Sequence, residues 1–535
     1  MRERYIWTDV ILLILTKLPM LYSRSKFLYL ISSFLAGFSI MVVELISSRI
    51  VAPIIGASVF TWTSVIGLTL LGLALGGWVG GKIADKITKY PPLSFAFFFS
   101  ALFVSIIPIL AQHTKFITSA STSILQLNLL VSVYLFFIPA SCIGTIQPLI
   151  LKKFANEFSQ IGSTYGTLSA AWSIGSLLGV FLTGFFFIST IGSAETIWFV
   201  SCILFFLGTI YAFPDKKLCI LFFISLFFVV ILLYSSTQTS NANILFEKET
   251  DYYSAKVIDA NIPNYGQSRL LFLDFDIHSF EPLEHRFSYV QNYTDISPIF
   301  SYFNKDLQDI LVLGAGAYTL PKKLKKFYAD SSVVVVETDP SLIEIGEKFF
   351  NVPTHEIKTV TNDAKLFITQ NEASYDLIFG DTYNSYISVP WYLLTREWNN
   401  SIQKRLNPGG IYAINFIGSF SGEGSAFTGS IVHTFKKTFP NYYIVSFSQN
   451  KSDIQNIVLI GINGDTPFDE EMLIKKLRLD GYTKIASFIT SKQSVQEVGS
   501  IILTDNFSPT EKLMSPIISK YFPENKRLTE DILSK

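Results

Sequence analysis

The chain has 535 residues, of which 49% are hydrophobic and only 16% charged, against about 25% charged in an ordinary soluble domain. Together with a mean hydropathy of +0.39, this excludes a disordered chain, a coiled coil, a collagen-like fibre and a purely soluble enzyme. The 42 Lys and Arg residues balance 42 Asp and Glu residues, so no general charge draws the chain to nucleic acid.

The first 26 residues form a short apolar stretch interrupted by Asp9 and Lys17, with no small-residue cleavage site after it. That pattern reads as an amphipathic segment on a membrane surface rather than a signal peptide. Residues 27–240 then contain long charge-free runs. A spanning helix needs about 20 apolar residues, and seven spans are expected, near 27–47, 59–81, 92–111, 127–151, 165–189, 195–213 and 218–235. The second carries Gly72, Gly76 and Gly80, with Gly77 and Gly81 beside them. Small residues four apart let two helices approach closely, so a tight helix pair is expected there. Glu44 lies inside the first span with Arg49 five residues on. An intramembrane acid is a functional candidate, but its place near the span end favours a structural ion pair. Cys142, Cys202 and Cys219 all fall in apolar runs, and the five histidines are scattered, so packing cysteines and no metal site are expected.

Charge bias assigns one face of the bundle. Arg24, Lys26, Lys82, Lys86, Lys89, Lys152, Lys153, Lys216 and Lys217 share one side, against Arg49, Lys115 and Lys248 on the other. The positive-inside rule puts the first group in the cytoplasm. With seven spans, everything after residue 240 then lies outside.

After Glu247 the charge density becomes that of a soluble domain. Tyr253–Ile258 and Arg269–Asp274 alternate polar and apolar residues around a turn at Asn261–Gly266, which predicts a hairpin in a small β subdomain over 247–300. From 301 to the end an α/β pattern follows. Strands are expected at Asp309–Leu313, Val333–Val336, Ile357–Thr361, Tyr375–Gly380 and Gly410–Phe416. Helices alternate with them at Leu320–Tyr328, Ser341–Phe350, Lys365–Gln370 and Trp391–Leu406, the last stopped by Pro408-Gly409-Gly410. Such alternation implies a parallel, doubly wound sheet. A late strand is expected at Asn456–Ile462 and an amphipathic helix at Glu470–Leu479.

The chemistry-bearing residues fall at the carboxyl ends of the predicted strands, where such sheets bind ligands. Gly314-Ala315-Gly316 lets the backbone approach a ligand closely. Glu337 ends the next strand about 20 residues on, where a carboxylate can accept both hydroxyls of a ribose; the alternative is a solvated acid at a strand end. Asp363 ends the third strand, and could accept from an adenine amino group or cap the following helix. Asp381 ends the fourth, where an acid can take a proton from a nucleophile or cap a loop.

These residues carry a family resemblance. The stretches LVLGAGAYTLPKKL, VVVVETDPSLIEIGEKFF, NDAKLFI, YDLIFGDTYNSYISVPWYLLTREW and LNPGGIYAINF resemble, in order and spacing, the spermidine synthase family of aminopropyltransferases. The apolar half resembles the membrane part of bacterial proteins that fuse a transporter-like bundle to such a domain. The resemblance implies an α-helical transmembrane bundle of about seven spans in the bacterial inner membrane, followed by a methyltransferase-like (Rossmann-like) domain. It implies decarboxylated S-adenosylmethionine, or a related adenosyl sulfonium, as co-substrate, a small amine or polyamine as acceptor, and neither metal nor nucleic acid. A homodimer is left open. By match, Gly314 and Gly316 form the glycine turn, Glu337 holds the ribose, Asp363 the adenine, and Asp381 deprotonates the attacking amine. Tyr289 keeps the place of a family tyrosine that grips substrate.

The departures lie in the amine half. Ala317 stands where the family has an acid for the aminopropyl ammonium, and Asn384 near the place of an acid for the acceptor. Leu273-Asp274-Phe275 replaces Leu-Asp-Gly, His278 lies near the place of a Gln, and Val290 and Gln291 replace a His and a Glu. Asp505, in Thr504-Asp505-Asn506, resembles a terminal family segment and is a candidate crevice-edge acid. Two further readings stand beside the enzyme: a transporter with an altered soluble domain, and a nucleotide-binding module without chemistry. Sulfonium nucleosides are made in the cytosol, so the charge bias and the family chemistry point to opposite sides of the membrane.

Overall fold

The computed structural model describes residues 26–56, 58–86, 92–114, 117, 124–154, 161–213, 220, 244–262, 266–274, 276–283, 293–382, 390–465, 469–496 and 499–533. The N-terminal amphipathic segment and nearly all of the seventh expected span lie outside the described residues. The chain divides into two compact units, Met1–Ser240 and Asn241–Lys535.

Among the described residues of the first unit, six helices are long and apolar enough to cross a membrane: α1 (Lys26–Ile55), α2 (Val59–Lys86), α3 (Pro92–Gln112), α4 (Leu125–Phe154), α5 (Ile161–Phe187) and α6 (Ser193–Ala212). The strongest pairings are α1 with α5, α3 with α6, and α2 with α4. The expected tight pair is present between α2 and α4. A Cβ on Gly76 would run into the Ser141 carbonyl, and one on Gly80 would lie 2.7 Å from the Thr145 backbone. Gly77 and Gly81 face open space. The ends of α2 and α4 are joined by an ion pair, Lys152 Nζ lying 3.7 Å from Asp85 Oδ1. A five-residue π-helical turn interrupts α4 at Val133–Phe137 and another ends α5 at Thr183–Phe187. Large apolar side chains face outward, Phe185 at 80% and Phe206 at 63% exposure.

The second unit opens with a four-stranded antiparallel sheet, β1 (Ile244–Glu249), β2 (Ser254–Ile262), β3 (Gly266–Leu273) and β4 (Asp276–Pro282), in that order. The predicted hairpin is β2–β3; the sheet adds a strand on either side of it. One face of this sheet, with Val257, Leu271 and Leu273, packs on Ala317, Leu342 and Ile345. The other buries Ile258, Leu270 and Phe272 with Ile532.

The remainder is an eight-stranded sheet flanked by helices. Its strands are β5 (Asp309–Leu313), β6 (Ser332–Glu337), β7 (Ile357–Thr361), β8 (Tyr375–Gly380), β9 (Leu406–Gly418), β10 (Tyr442–Ser446), β11 (Gln455–Ile462) and β12 (Ile489–Thr490). Helices α7 (Thr319–Phe327), α8 (Pro340–Phe350), α9 (Ala364–Gln370) and α10 (Arg396–Gln403) make the crossovers among the first five strands. The order is β12-β10-β11-β9-β8-β5-β6-β7. β5 to β9 are parallel, while β11 is antiparallel to β9 and β10. This is a methyltransferase-like arrangement. Strands β5, β8 and β9 are buried on both faces, which explains their near-continuous Val, Ile, Leu and Phe. One expected helix is shorter than predicted. Trp391–Leu406 resolves into a 3-10 turn at Trp391–Leu393 and α10, and Pro408-Gly409-Gly410 lies inside β9. Thr395 caps α10, its side chain accepting from the Trp398 N–H, and that cap fixes the start where hydrophobic periodicity alone could not.

Candidate active site

From β5 the chain runs outward through β6 to β7 on one side, and returns through β8 to β9 on the other. The switch point lies between β5 and β8, and a crevice opens beyond the carboxyl ends of such neighbours. Here Gly314 follows β5 and Asp381 follows β8. The Gly314 N–H donates to the Val336 carbonyl and the Asp381 N–H to the Leu313 carbonyl, each at 2.8 Å. Gly314 has φ +95°, and a Cβ on it would run into the Asp381 carbonyl oxygen. Glycine is therefore required twice, by dihedral and by space.

A cavity of about 410 Å³ occupies this position, lined by Gly314, Gly316, Glu337, Asp363 and Asp381 among others. Its size is that of a small-molecule site. Of the seven expected site residues, these five are brought together. Tyr289 and Asn384 lie outside the described residues.

Glu337 ends β6 and is 7% exposed. Its Oε2 accepts from the Ala315 N–H at 2.8 Å and its Oε1 from the Asp339 N–H at 2.9 Å. Burial pushes its carboxyl pKa up, and those backbone donors pull it back toward the ionised form. A carboxylate has about four lone-pair positions, so beside the backbone N–H groups of Ala315, Asp339 and Thr338 there is room for a ligand hydroxyl. Asp363 is the N-cap of α9: its Oδ1 accepts from the Leu366 N–H at 2.9 Å. Its Oδ2 accepts from the Tyr392 hydroxyl at 3.3 Å. Of the two roles left open by the sequence, the structure shows the helix cap.

Asp381 is half-buried and held from two sides. The Tyr293 hydroxyl donates to Oδ2 at 3.0 Å and the Asn415 Nδ2 to Oδ1 at 3.0 Å. Burial raises its pKa above the ordinary carboxylate value, and the two donors oppose that rise. The sequence reading missed both partners. Asn415 had a signal, a lone amide in the apolar run IYAINFI of β9. Tyr293 had none, because it reaches Asp381 only through the packing of a 3-10 turn, Tyr293–Asp295, which the sequence does not announce. Ser279 was also missed. Its Oγ accepts from the Ala317 N–H at 3.1 Å and braces the glycine turn from β4.

Two expectations need correction. Ala317 does not line the cavity. It is fully buried in the apolar cluster beneath β2 and β3, because the turn into α7 aims its Cβ at that sheet. Asp505 does not line the cavity either. Its Oδ1 accepts from the Thr395 hydroxyl at 2.7 Å and its Oδ2 pairs with Lys365 at 3.0 Å. It ties the C-terminal turn to α9 and α10, and this pairing lowers its pKa even against its partial burial. Among the described residues no group of three or more His, Cys, Asp or Glu is placed to hold a metal ion.

Comparison with known proteins agrees with this geometry. Residues 293–454 match the spermine/spermidine synthase domain family. The chain is 29% identical over 115 residues to a probable polyamine aminopropyl transferase of Bifidobacterium longum, covering 22% of this chain and 25% of that protein. It is 31% identical over 117 residues to a polyamine aminopropyltransferase of Vibrio vulnificus, covering 21% and 39%. The chain thus spans well under half the length of these two relatives. A longer alignment, 23% identical over 404 residues, covers 71% of this chain and 77% of polyamine aminopropyltransferase 2 of Aquifex aeolicus. Among solved structures, a probable spermidine synthase from Corynebacterium glutamicum aligns at 19% identity and a TM-score of 0.39, covering 51% of this chain and 99% of that one. A spermidine synthase solved in complex with the transition-state analogue AdoDATO aligns at 15% identity and a TM-score of 0.37, covering 48% and 87%. Residues 293–454 of this chain thus resemble a spermine/spermidine synthase domain.

Proposed function

We propose that the second unit transfers an aminopropyl group from decarboxylated S-adenosylmethionine to a small amine or polyamine, with Asp381 as the base, and that α1–α6 hold the protein in a membrane. The observation that carries this reading is Asp381 itself. Its carboxylate is fixed between Tyr293 and Asn415 on the wall of the cavity that also contains the glycine turn and Glu337.

The chemistry needs such a group. A free primary amine has a pKa near 10.4 and is an ammonium at neutral pH, with no lone pair to attack. Asp381 accepts one ammonium proton. The freed nitrogen pair forms a bond to the methylene carbon next to the sulfonium, and the carbon–sulfur bond breaks with its electrons going to sulfur. The products are 5′-methylthioadenosine, now neutral at sulfur, and an ammonium lengthened by one aminopropyl group. Its elevated pKa makes Asp381 a better proton acceptor than an exposed aspartate. Glu337 would hold the ribose hydroxyls and Asp363 the adenine, by the family match.

The membrane part of the proposal is supported by α2 and α5, whose most apolar stretches are only 33% and 22% buried. Monomeric soluble proteins rarely leave such patches uncovered.

The test is calorimetric titration of the detergent-solubilised full chain with 5′-methylthioadenosine. Binding is expected, weakened roughly 30-fold or more by Glu337→Ala, since a hydrogen bond to a charged group contributes about 2 kcal/mol. A folded protein that binds neither this nucleoside nor S-adenosylmethionine would sink the proposal.

A further inference from the structure

The first unit contains an internal repeat. A single constant offset, without a gap, carries Thr61 to Thr164, Gly72 to Gly175, Leu75 to Leu178, Gly76 to Gly179 and Gly81 to Gly184. The same offset carries Ile40 to Ile143, Arg49 to Lys152 and Trp62 to Tyr165. The contacts repeat with the sequence. A Cβ on Gly72 would lie 2.8 Å from the Phe137 carbonyl, and one on Gly175 would meet the carbonyl of Phe34, the residue equivalent to Phe137. Gly76 faces Ser141, and Gly179 faces Phe38, again equivalents. So α1–α3 and α4–α6 are two copies of one three-helix unit, and the α2–α4 seam is the α5–α1 seam over again. Three helices per copy reverse the chain direction between copies, which makes the repeat inverted. Inverted repeats are the architecture of many secondary transporters, whose substrate sites lie at the interface of the two copies.

That interface holds unsatisfied polar atoms. α1 meets α4 chiefly through the stretch Ile146–Phe154, whose equivalents in α1 are residues 43–51. Two helices related by a two-fold axis cross where each meets its own equivalent. Glu44 and Gln147 are equivalents at this crossing, and each has a buried side-chain oxygen, Oε2 and Oε1, with no hydrogen-bond partner. Thr183 is a third such group, fully buried with its Oγ1 unpartnered. It opens the π-helical turn of α5, and its neighbour Gly184 packs at the level of Leu45, with 3.8 Å from a built Cβ to Leu45 Cδ2. The ion pair expected for Glu44 is not formed among the described residues. A carboxylate buried without a partner is costly, as is an unpaired buried amide or hydroxyl oxygen. A ligand with one positive charge and several N–H donors would satisfy the Glu44 and Gln147 oxygens. A primary ammonium has three.

We propose that α1–α6 form a transport path whose substrate site, at the crossing of α1 and α4, binds a protonated primary amine on Glu44 and Gln147. The site is separate from the cavity of the second unit and does not depend on its chemistry. The experiment uses the full chain in sealed liposomes, with labelled putrescine as the probe. Uptake is expected for the unaltered protein, reduced at least tenfold by Glu44→Gln and by Gln147→Leu, and largely kept by Gln147→Glu. Titration of the same preparations with 5′-methylthioadenosine reports on the second unit alone, so a failure there leaves the transport result readable. Two outcomes overturn the proposal: uptake by Glu44→Gln and Gln147→Leu at the unaltered rate, or no putrescine uptake by unaltered protein that is monodisperse and still binds the nucleoside. Proton flux lost in Glu44→Gln without any amine uptake would likewise replace the amine by a proton.

Discussion

The Asp381 carbonyl oxygen lies where a methyl group on residue 314 would go, and two side-chain donors oppose the rise that burial gives its carboxyl pKa. Gly314→Ala puts a Cβ into the Asp381 carbonyl oxygen and must push the base away from the crevice. The expected result is loss of turnover by roughly 100-fold or more, the scale of a misplacement of about 1 Å, measured by product formation in steady state. Asp381→Asn should lower kcat by about 100- to 10,000-fold, the usual contribution of a general base, while 5′-methylthioadenosine still binds. The pH profile follows from the pKa. Activity requires the ionised carboxylate, so kcat/KM should fall as pH drops through a value raised above the ordinary aspartate range. Asn415→Leu removes a donor that favours the ionised form, so its acid limb should move to higher pH. A limb that stays in place would show that the titrating group is not Asp381. Asp505 offers the contrast. It accepts from Thr395 and pairs with Lys365 outside the cavity, so Asp505→Asn should leave nucleoside affinity within about twofold while lowering the melting temperature by a few degrees, as a change of about 1 kcal/mol does.

At the scale of elements, the glycine positions of α2 divide into two kinds. Gly76 is pressed against the α4 backbone, whereas Gly77, one residue on, has nothing within 4 Å of a built Cβ. Gly76→Leu should separate the helix pair and lower the midpoint of thermal unfolding of the bundle in detergent, while Gly77→Leu should leave it unchanged. An equal effect of the two would mean the helices do not meet on the Gly76 face. The α/β elements show how far periodicity reaches. The runs of β5, β6 and β8 are apolar on both faces and bounded by Gly or acids, so their ends were legible to within a residue. The Trp391–Leu406 segment was not, because its aromatic residues pack from a 3-10 turn as well as from a helix, and because β9 carries a proline and two glycines. Proline is tolerated at the start of a strand, and nothing in the local sequence distinguishes that from a stop.

For the whole molecule, the sharp change in charge density near residue 240 coincides with the division between the two compact units. Alkaline carbonate should leave the protein in the membrane pellet and detergent should release it; recovery in the carbonate supernatant would remove the membrane part of the proposal. Hydrophobic content, the position of the break and the order of alternating strands and helices were determined by sequence alone, since burial on both faces, or in lipid, demands apolar residues wherever it occurs. The five acids and glycines at strand ends were legible for the same reason: in a parallel sheet, strand order fixes which ends converge. The partners of those groups were decided only by tertiary structure. Tyr293 and Asn415 come from segments 88 and 34 residues from Asp381. Hydrogen-bond partners, unlike periodicity, have no fixed spacing along a chain. Only packing selects them.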